Sequence, residues 1–296
     1  MLFPACASVK RTIVISILRN ILSNCVKTSA KNRLVYSRFW NPLGRLCRLA
    51  DRQQQWRVPG SESIVHEAYS RIASDLTVRS GPFAGLRYPR EASAGSTFLP
   101  KLLGSYEQEL HGVVEQLDSA KYTAIVDIGC AEGYYAVGLA KRIDKIPVFA
   151  YDTDPTSRQL CLDMASCNNV SHRVHVGQRC DWNELRRLDL NHAIVWIDCE
   201  GYERELFSGS GIDYLAPNDF LIEMHDFIHP FTTEHLWRVF EPTHRIEVIR
   251  SFPDELRPIA FPNANLRELP TEAQIALMAE GRPRIMTWFW CKSNKQ

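Results

Sequence analysis

The chain has no C-x-x-C pair, no uninterrupted apolar run approaching twenty residues, no internal repeat and, in its first fifty residues, no acid. Each absence excludes something. Nine cysteines stand at positions 6, 25, 47, 130, 161, 167, 180, 199 and 291. Odd in number and without metal-site spacing, they encode neither a zinc ribbon nor a disulfide framework. Several lie in apolar runs, where a free thiol is a small hydrophobe in a reducing compartment, and the cytosol is the expected location. The uncharged stretch Thr12 to Leu18 ends at Arg19, far short of the ~20 residues that a spanning helix needs. Low-complexity tracts are lacking too, and hydrophobics at 45% with charged residues at 23% describe an ordinary globular chain.

The acid-free N-terminus makes the charge uneven. Of 35 Lys and Arg, nine fall in residues 1–50, so the rest carries 26 bases against 34 acids and is net acidic. A body of that sign does not attract phosphate backbones, and no nucleic-acid partner is expected. A basic, acid-free amphipathic helix in residues 1–50 fits peripheral contact with an anionic membrane or an organellar presequence; the alternative is a helix packed on the main domain or a partly disordered segment. Three regions follow: a basic helical extension over 1–60, a helical and turn-rich region over 61–120 placed to cover a substrate, and a main domain over 121–296.

From residue 121 short apolar runs alternate with helical patterns. Strands are expected at Thr123–Ile128, Pro147–Asp152, His172–Val176, Ala193–Asp198 and Asp219–Met224, with helices from Gly133 and Pro155 between them. This is the pattern of βαβ units winding a parallel sheet. After the fifth strand it changes to helix "TEHLWRVF", strand "HRIEVIRSF", helix "LPTEAQIALMAEG" and a closing strand "RIMTWFWCK". Upstream, "SESIVHEAYSRIASDL" reads as a helix capped by Ser61 or Ser63, and Ser105 with Gln108 as a capping box.

Three stretches carry the chemistry. In "VDIGCAEGYYAVGLA", Gly129 and Gly133 bracket a strand-to-helix turn whose first helical N–H groups face the strand end, a natural seat for a ligand. The G-x-G-x-x-G spacing of a nicotinamide site is missing, which disfavours a dinucleotide. In "VFAYDTDP", Asp152 ends the second strand at the right height to accept from both hydroxyls of a ribose, while Asp154 before Pro155 reads as a helix cap. At the fourth and fifth strands, "IVWIDCEGYERELFSG" and "FLIEMHD" place Asp198, Glu200, Glu223, His225 and Asp226 at the crevice end.

The D-x-G-x-x-x-G arrangement of the first stretch resembles motif I of class I S-adenosylmethionine-dependent methyltransferases, and the D-x-E-G-x-E segment Asp198, Glu200, Gly201 and Glu203 resembles the FkbM family. The likeness covers residues 80 to 250 and departs from the family at Ala131 and Glu132, where an asparagine is frequent. It implies a doubly wound Rossmann-like α/β fold, a mostly parallel seven-stranded sheet with an antiparallel C-terminal strand. It implies S-adenosylmethionine as cofactor, held by Asp127, Gly129, Cys130, Ala131, Gly133, Asp152 and Asp198, with Gln178 or Asp181 at the adenine. Transfer to a hydroxyl needs a proton acceptor, and His225 is the first candidate because imidazole titrates near neutrality, with Asp198 and Glu223 beside it. A divalent cation on Asp198, Glu223 and His225 ranks below base catalysis, and no metal is expected. The DPPY-like motif of many nucleic-acid amino-methyltransferases is missing, so sugar, lipid or other small-molecule hydroxyls are the expected acceptors, with Tyr106 and Glu107 as pocket residues. A non-catalytic binding or interaction module of the same fold is the other reading.

Overall fold

The computed structural model describes residues 62–209, 212–282 and 284–295. The basic extension expected over 1–60, with its membrane-surface helix and Ser61, lies outside the described residues. Within them, no helix is long and apolar enough to cross a membrane.

Ten helices and seven strands are named here in chain order: α1 Glu62–Ala73, α2 Phe98–Leu103, α3 His111–Glu115, β1 Ala124–Ile128, α4 Tyr134–Arg142, β2 Val148–Tyr151, α5 Pro155–Cys167, β3 Val174–Gly177, α6 Trp182–Arg187, β4 Ala193–Ile197, α7 Glu203–Leu206, β5 Asp219–Glu223, α8 Thr232–Phe240, β6 His244–Arg250, α9 Arg257–Ala260, α10 Thr271–Met278 and β7 Thr287–Ser293. The strands form one sheet in the order β3-β2-β1-β4-β5-β7-β6. Strands β1 to β5 run parallel, with Ile128 beside Tyr151 on one side and Ile197 on the other. Strand β7 enters antiparallel between β5 and β6, placing Glu223 opposite Trp288. The doubly wound α/β fold with an antiparallel final strand is therefore present as expected.

Burial explains why the central strands read as continuous apolar runs. Every residue of β1, β4 and β5 is buried, because helices cover both faces. On one face Ile125, Ile194 and Trp196 pack with α4, α5 and the upstream segments, including Ile72, Leu86, Leu103 and Leu110; on the other Val126, Val195 and Phe220 pack with Leu185, Leu236 and Phe240. The segment preceding β1 is thus part of the core.

The sheet's topology reverses between β1 and β4, whose carboxyl ends open a crevice where ligands of such sheets sit. One local expectation fails there. Ser105 does not open a capping box, since its hydroxyl donates to Pro100 O and Glu107 takes a left-handed φ of 47° before a 3-10 turn over Gln108–Leu110. The Glu107 N–H instead donates to Glu280 Oε1 at 2.8 Å. A distant carboxylate outcompetes the local cap.

Candidate active site

The loop after β1 is tied to both neighbouring strands. Gly129 and Cys130 donate to Tyr151 O at 2.8 and 3.0 Å. At Gly129, φ is +92° and a Cβ would lie 1.7 Å from Asp198 O; at Gly133, φ is +95° and a Cβ would meet Cys161 Sγ at 2.9 Å. Both glycines are thus required by close approach of the protein to itself. Ala131 is left-handed too, at φ 49°, and its N–H donates to Asp152 Oδ2 at 2.9 Å. The Asp154 N–H takes the other Asp152 oxygen at 2.8 Å, so this carboxylate fixes the loop and retains lone pairs for further donors. Asp154 caps α5 through Thr156 and Ser157, as expected.

Asp127 is 2% exposed, and its Oδ2 has no hydrogen-bond partner. Burial first, and then the charge of Asp198, pushes its carboxyl up to about 8. Cys130 is buried, and its thiol is raised well above its ordinary value by the adjacent Cys161 and by burial. Glu132 turns toward the upstream segment, where it pairs with the buried Lys101 ammonium and accepts from Ala94 N at 3.0 Å. The two positions that depart from the resembled family therefore serve the loop's own anchoring.

The second wall is built from the ends of β4 and β5. After Asp198 the chain kinks, with Glu200 at φ 52° and Gly201 at φ 103°, where a Cβ would strike Ile228 at 2.7 Å. This kink brings Glu203, at the start of α7, back under the strand ends. Fully buried, Glu203 accepts from Cys199 N at 3.2 Å, Gly201 N at 3.3 Å and His225 Nδ1 at 2.8 Å. Burial disfavours its charge, yet the hydrogen bond from His225 outweighs that and holds the carboxyl below its usual range. His225 is 1% exposed. Its Nε2 faces Asp198 Oδ1 and Glu200 Oε2 at 3.6 Å and Glu223 Oε2 at 3.8 Å. Desolvation opposes a charged ring, but Glu203, Asp198 and Glu200 together raise it above the ordinary histidine value.

A largely buried cation joins the acids of this site. Arg282 donates to Glu223 at 2.7 Å, to Glu280 at 2.7 Å and to Glu107. Tyr135 also donates to Glu107. Glu107, Asp198 and Glu223 bring oxygens within 4.8 Å of one another. Burial is the main reason that all three carboxyls are raised above their ordinary values.

Asp127, Gly129, Cys130, Ala131, Gly133, Asp152, Asp198, Glu223 and His225 accordingly share one end of the sheet. Gln178 and Asp181 follow β3 at the adjoining edge, both exposed. Asp181 caps α6 by accepting from Glu184 N at 2.9 Å. Asp226 binds Thr233 at the start of α8. Tyr106 and Glu107 are buried within the cluster. Sequence reasoning missed Glu203 as the partner of His225 and missed Arg282, Glu280 and Lys101 altogether. For Glu203 the signal was its four-residue spacing from Cys199 across a glycine; the others lie too far along the chain for any local pattern to connect them.

No family model and no curated protein sequence matches this chain. Among solved structures it is similar to the N-terminal domain of human METTL16 in complex with SAH, at 12% identity over 79% of this chain and 83% of that one, TM-score 0.41. It is also similar to StiE O-MT residues 961–1257, at 12% identity, 75% and 91% coverage and TM-score 0.42. A third is precorrin-6y C5,15-methyltransferase from Geobacter metallireducens GS-15, at 14% identity, 50% and 73% coverage and TM-score 0.38. The fold assignment stands on the strand order and direction themselves.

Proposed function

We propose that this chain is an S-adenosylmethionine-dependent methyltransferase, related to the FkbM type, that methylates a hydroxyl of a sugar, lipid or other small molecule in the cytosol. One observation carries the reading: the loop after β1, the carboxylates Asp127, Asp152 and Asp198 and the His225 cluster converge at the strand ends where the sheet reverses. The cofactor fits these residues. The buried, unpartnered oxygen of Asp127 suits an ammonium, and Asp152 has acceptor capacity left for a ribose diol. Gly129, Cys130, Ala131 and Gly133 shape the cradle, while Gln178 and Asp181 lie on the side assigned to the adenine. When bound, S-adenosylmethionine supplies a methyl group already activated on a sulfonium.

The protein's task is then alignment and proton removal, and alignment of two reactants is worth up to ~7–11 kcal/mol. Glu203 fixes the His225 ring, and the acceptor hydroxyl loses its proton to His225 or to the adjacent carboxylate Glu223. Residues 61–120 supply Tyr106 and Glu107 to the pocket wall, and residues 1–50 bring the enzyme to an anionic membrane surface. Titration with S-adenosylhomocysteine, followed by a labelled-methyl screen over glycans, lipids and phenols, tests the reading. Heat on titration with no turnover on any acceptor would favour a cofactor-binding module, and no heat would reject both.

A further inference from the structure

We infer that the ring formed by Asp198, Glu200 and His225 is a binding site for one divalent transition-metal cation, of the Mn2+ or Zn2+ kind. The inference rests on the crevice being the acceptor side of the active site proposed above, and it assigns that side a component.

One ligand atom from each of Asp198, Glu200 and His225 lies within 4.8 Å of the others. Acidic groups alone would mean little. The independent observation is the histidine, which is 1% exposed and turns Nε2 toward both carboxylates. Its Nδ1 is bonded to the Glu203 carboxylate at 2.8 Å. With Nδ1 engaged by Glu203, Nε2 is the nitrogen left for a metal, and it faces oxygens of Asp198 and Glu200, each 3.6 Å away. A histidine oriented by a carboxylate through its far nitrogen is the usual preparation of a metal ligand.

The spacing fits such a centre. Ligands about 2.1 Å from a tetrahedral cation stand ~3.4 Å apart, close to the separations seen here. Asp198 Oδ1 is among the buried atoms that lack a partner, which leaves it available. One imidazole with two carboxylates suits a borderline cation better than Mg2+ or Ca2+, which prefer oxygen alone. Three protein ligands leave a coordination position open for an acceptor oxygen. Bound there, a hydroxyl loses its proton more readily, and Glu223 Oε2, 3.8 Å from Nε2, remains beside it to take that proton.

The test uses the full chain stripped with a chelator and then titrated with Mn2+ alone and Zn2+ alone, with Co2+ loading as a spectroscopic probe. One equivalent is expected to bind, with the visible bands of a Co2+ ion carrying a nitrogen ligand. Glu200→Gln, on a solvent-facing side chain, should weaken binding by at least ~10-fold, and Asp198→Asn likewise, while both variants keep their melting transition. Absence of stoichiometric binding, or equal affinity in Glu200→Gln and Asp198→Asn, would overturn the inference. S-adenosylhomocysteine titration of the same stripped protein separates the two proposals, since cofactor heat without metal binding leaves the methyltransferase reading intact.

Discussion

Replacing Arg282 with methionine should reveal how much the site's stability depends on one guanidinium. In the native protein that group reaches Glu107, Glu223 and Glu280 together, and it is 14% exposed. Breaking a buried ion pair from one side costs about 3–5 kcal/mol because the remaining charge has no counterion. For a domain of this size that corresponds to a melting point lower by about 10 °C. The loss should depend on pH with a fixed sign. Glu107 and Glu223 are already raised by burial, and Arg282 is among the influences lowering them. Without it both rise further above their unfolded values, so the folded variant holds protons that the unfolded chain has released. Stability then falls as pH rises, and the deficit measured by urea unfolding should be larger near pH 8 than near pH 5. Arg282→Lys should recover only a minor part, since an ammonium is a point charge and cannot fork to three carboxylates. A deficit below about 1 kcal/mol, or one equal at both pH values, would refute the reasoning.

Other perturbations separate cofactor binding from chemistry. Because burial and the neighbouring Asp198 push the Asp127 carboxyl up to about 8, and an ammonium selects its ionised form, the affinity for S-adenosylhomocysteine should climb between about pH 6 and pH 8; Asp127→Asn should flatten that slope and cost roughly 10-fold or more in calorimetry. Glu203→Gln keeps the shape of the side chain but unsettles His225, so turnover should drop about 10–100-fold with cofactor affinity little changed; a variant that turns over normally would remove Glu203 as an orienting group. Gly129→Ala places a methyl 1.7 Å from Asp198 O and should lower the yield of folded protein or destabilise it by more than about 2 kcal/mol, read by thermal melting. Deleting residues 1–50 should abolish flotation with anionic liposomes; equal flotation would reject the surface-helix proposal.

Much of the scaffold was legible because each central strand is a buried apolar run ended by an acid or a glycine, and Asp154-Pro155 marks a helix start within a few letters. The site was legible in part. Asp127, Asp152, Asp198 and His225 converge because strand ends in a wound sheet converge, a rule that needs no knowledge of side-chain packing. The glycines illustrate the limit. Their positions were found, but the neighbours that demand them, Asp198 O and Cys161 Sγ, come from other strands and helices. Glu107 shows the same limit more strongly, since it lies inside the stretch read as a capping box of Ser105 with Gln108, and its partner Arg282 lies 175 residues away. Ion networks joining remote segments leave no periodicity in the sequence.

The Lys101–Glu132 pair has a practical corollary. Because the turn after the first strand hangs from residues 93–101, the sheet cannot be excised cleanly at its apparent start. A fragment beginning near residue 121 would lose the groups that bind Glu132 and hold the turn, and would lay bare the apolar surface where Leu86 and Leu103 had packed. The smallest autonomous piece must therefore include the stretch upstream, and domain-trimming for crystallography or directed evolution should keep it.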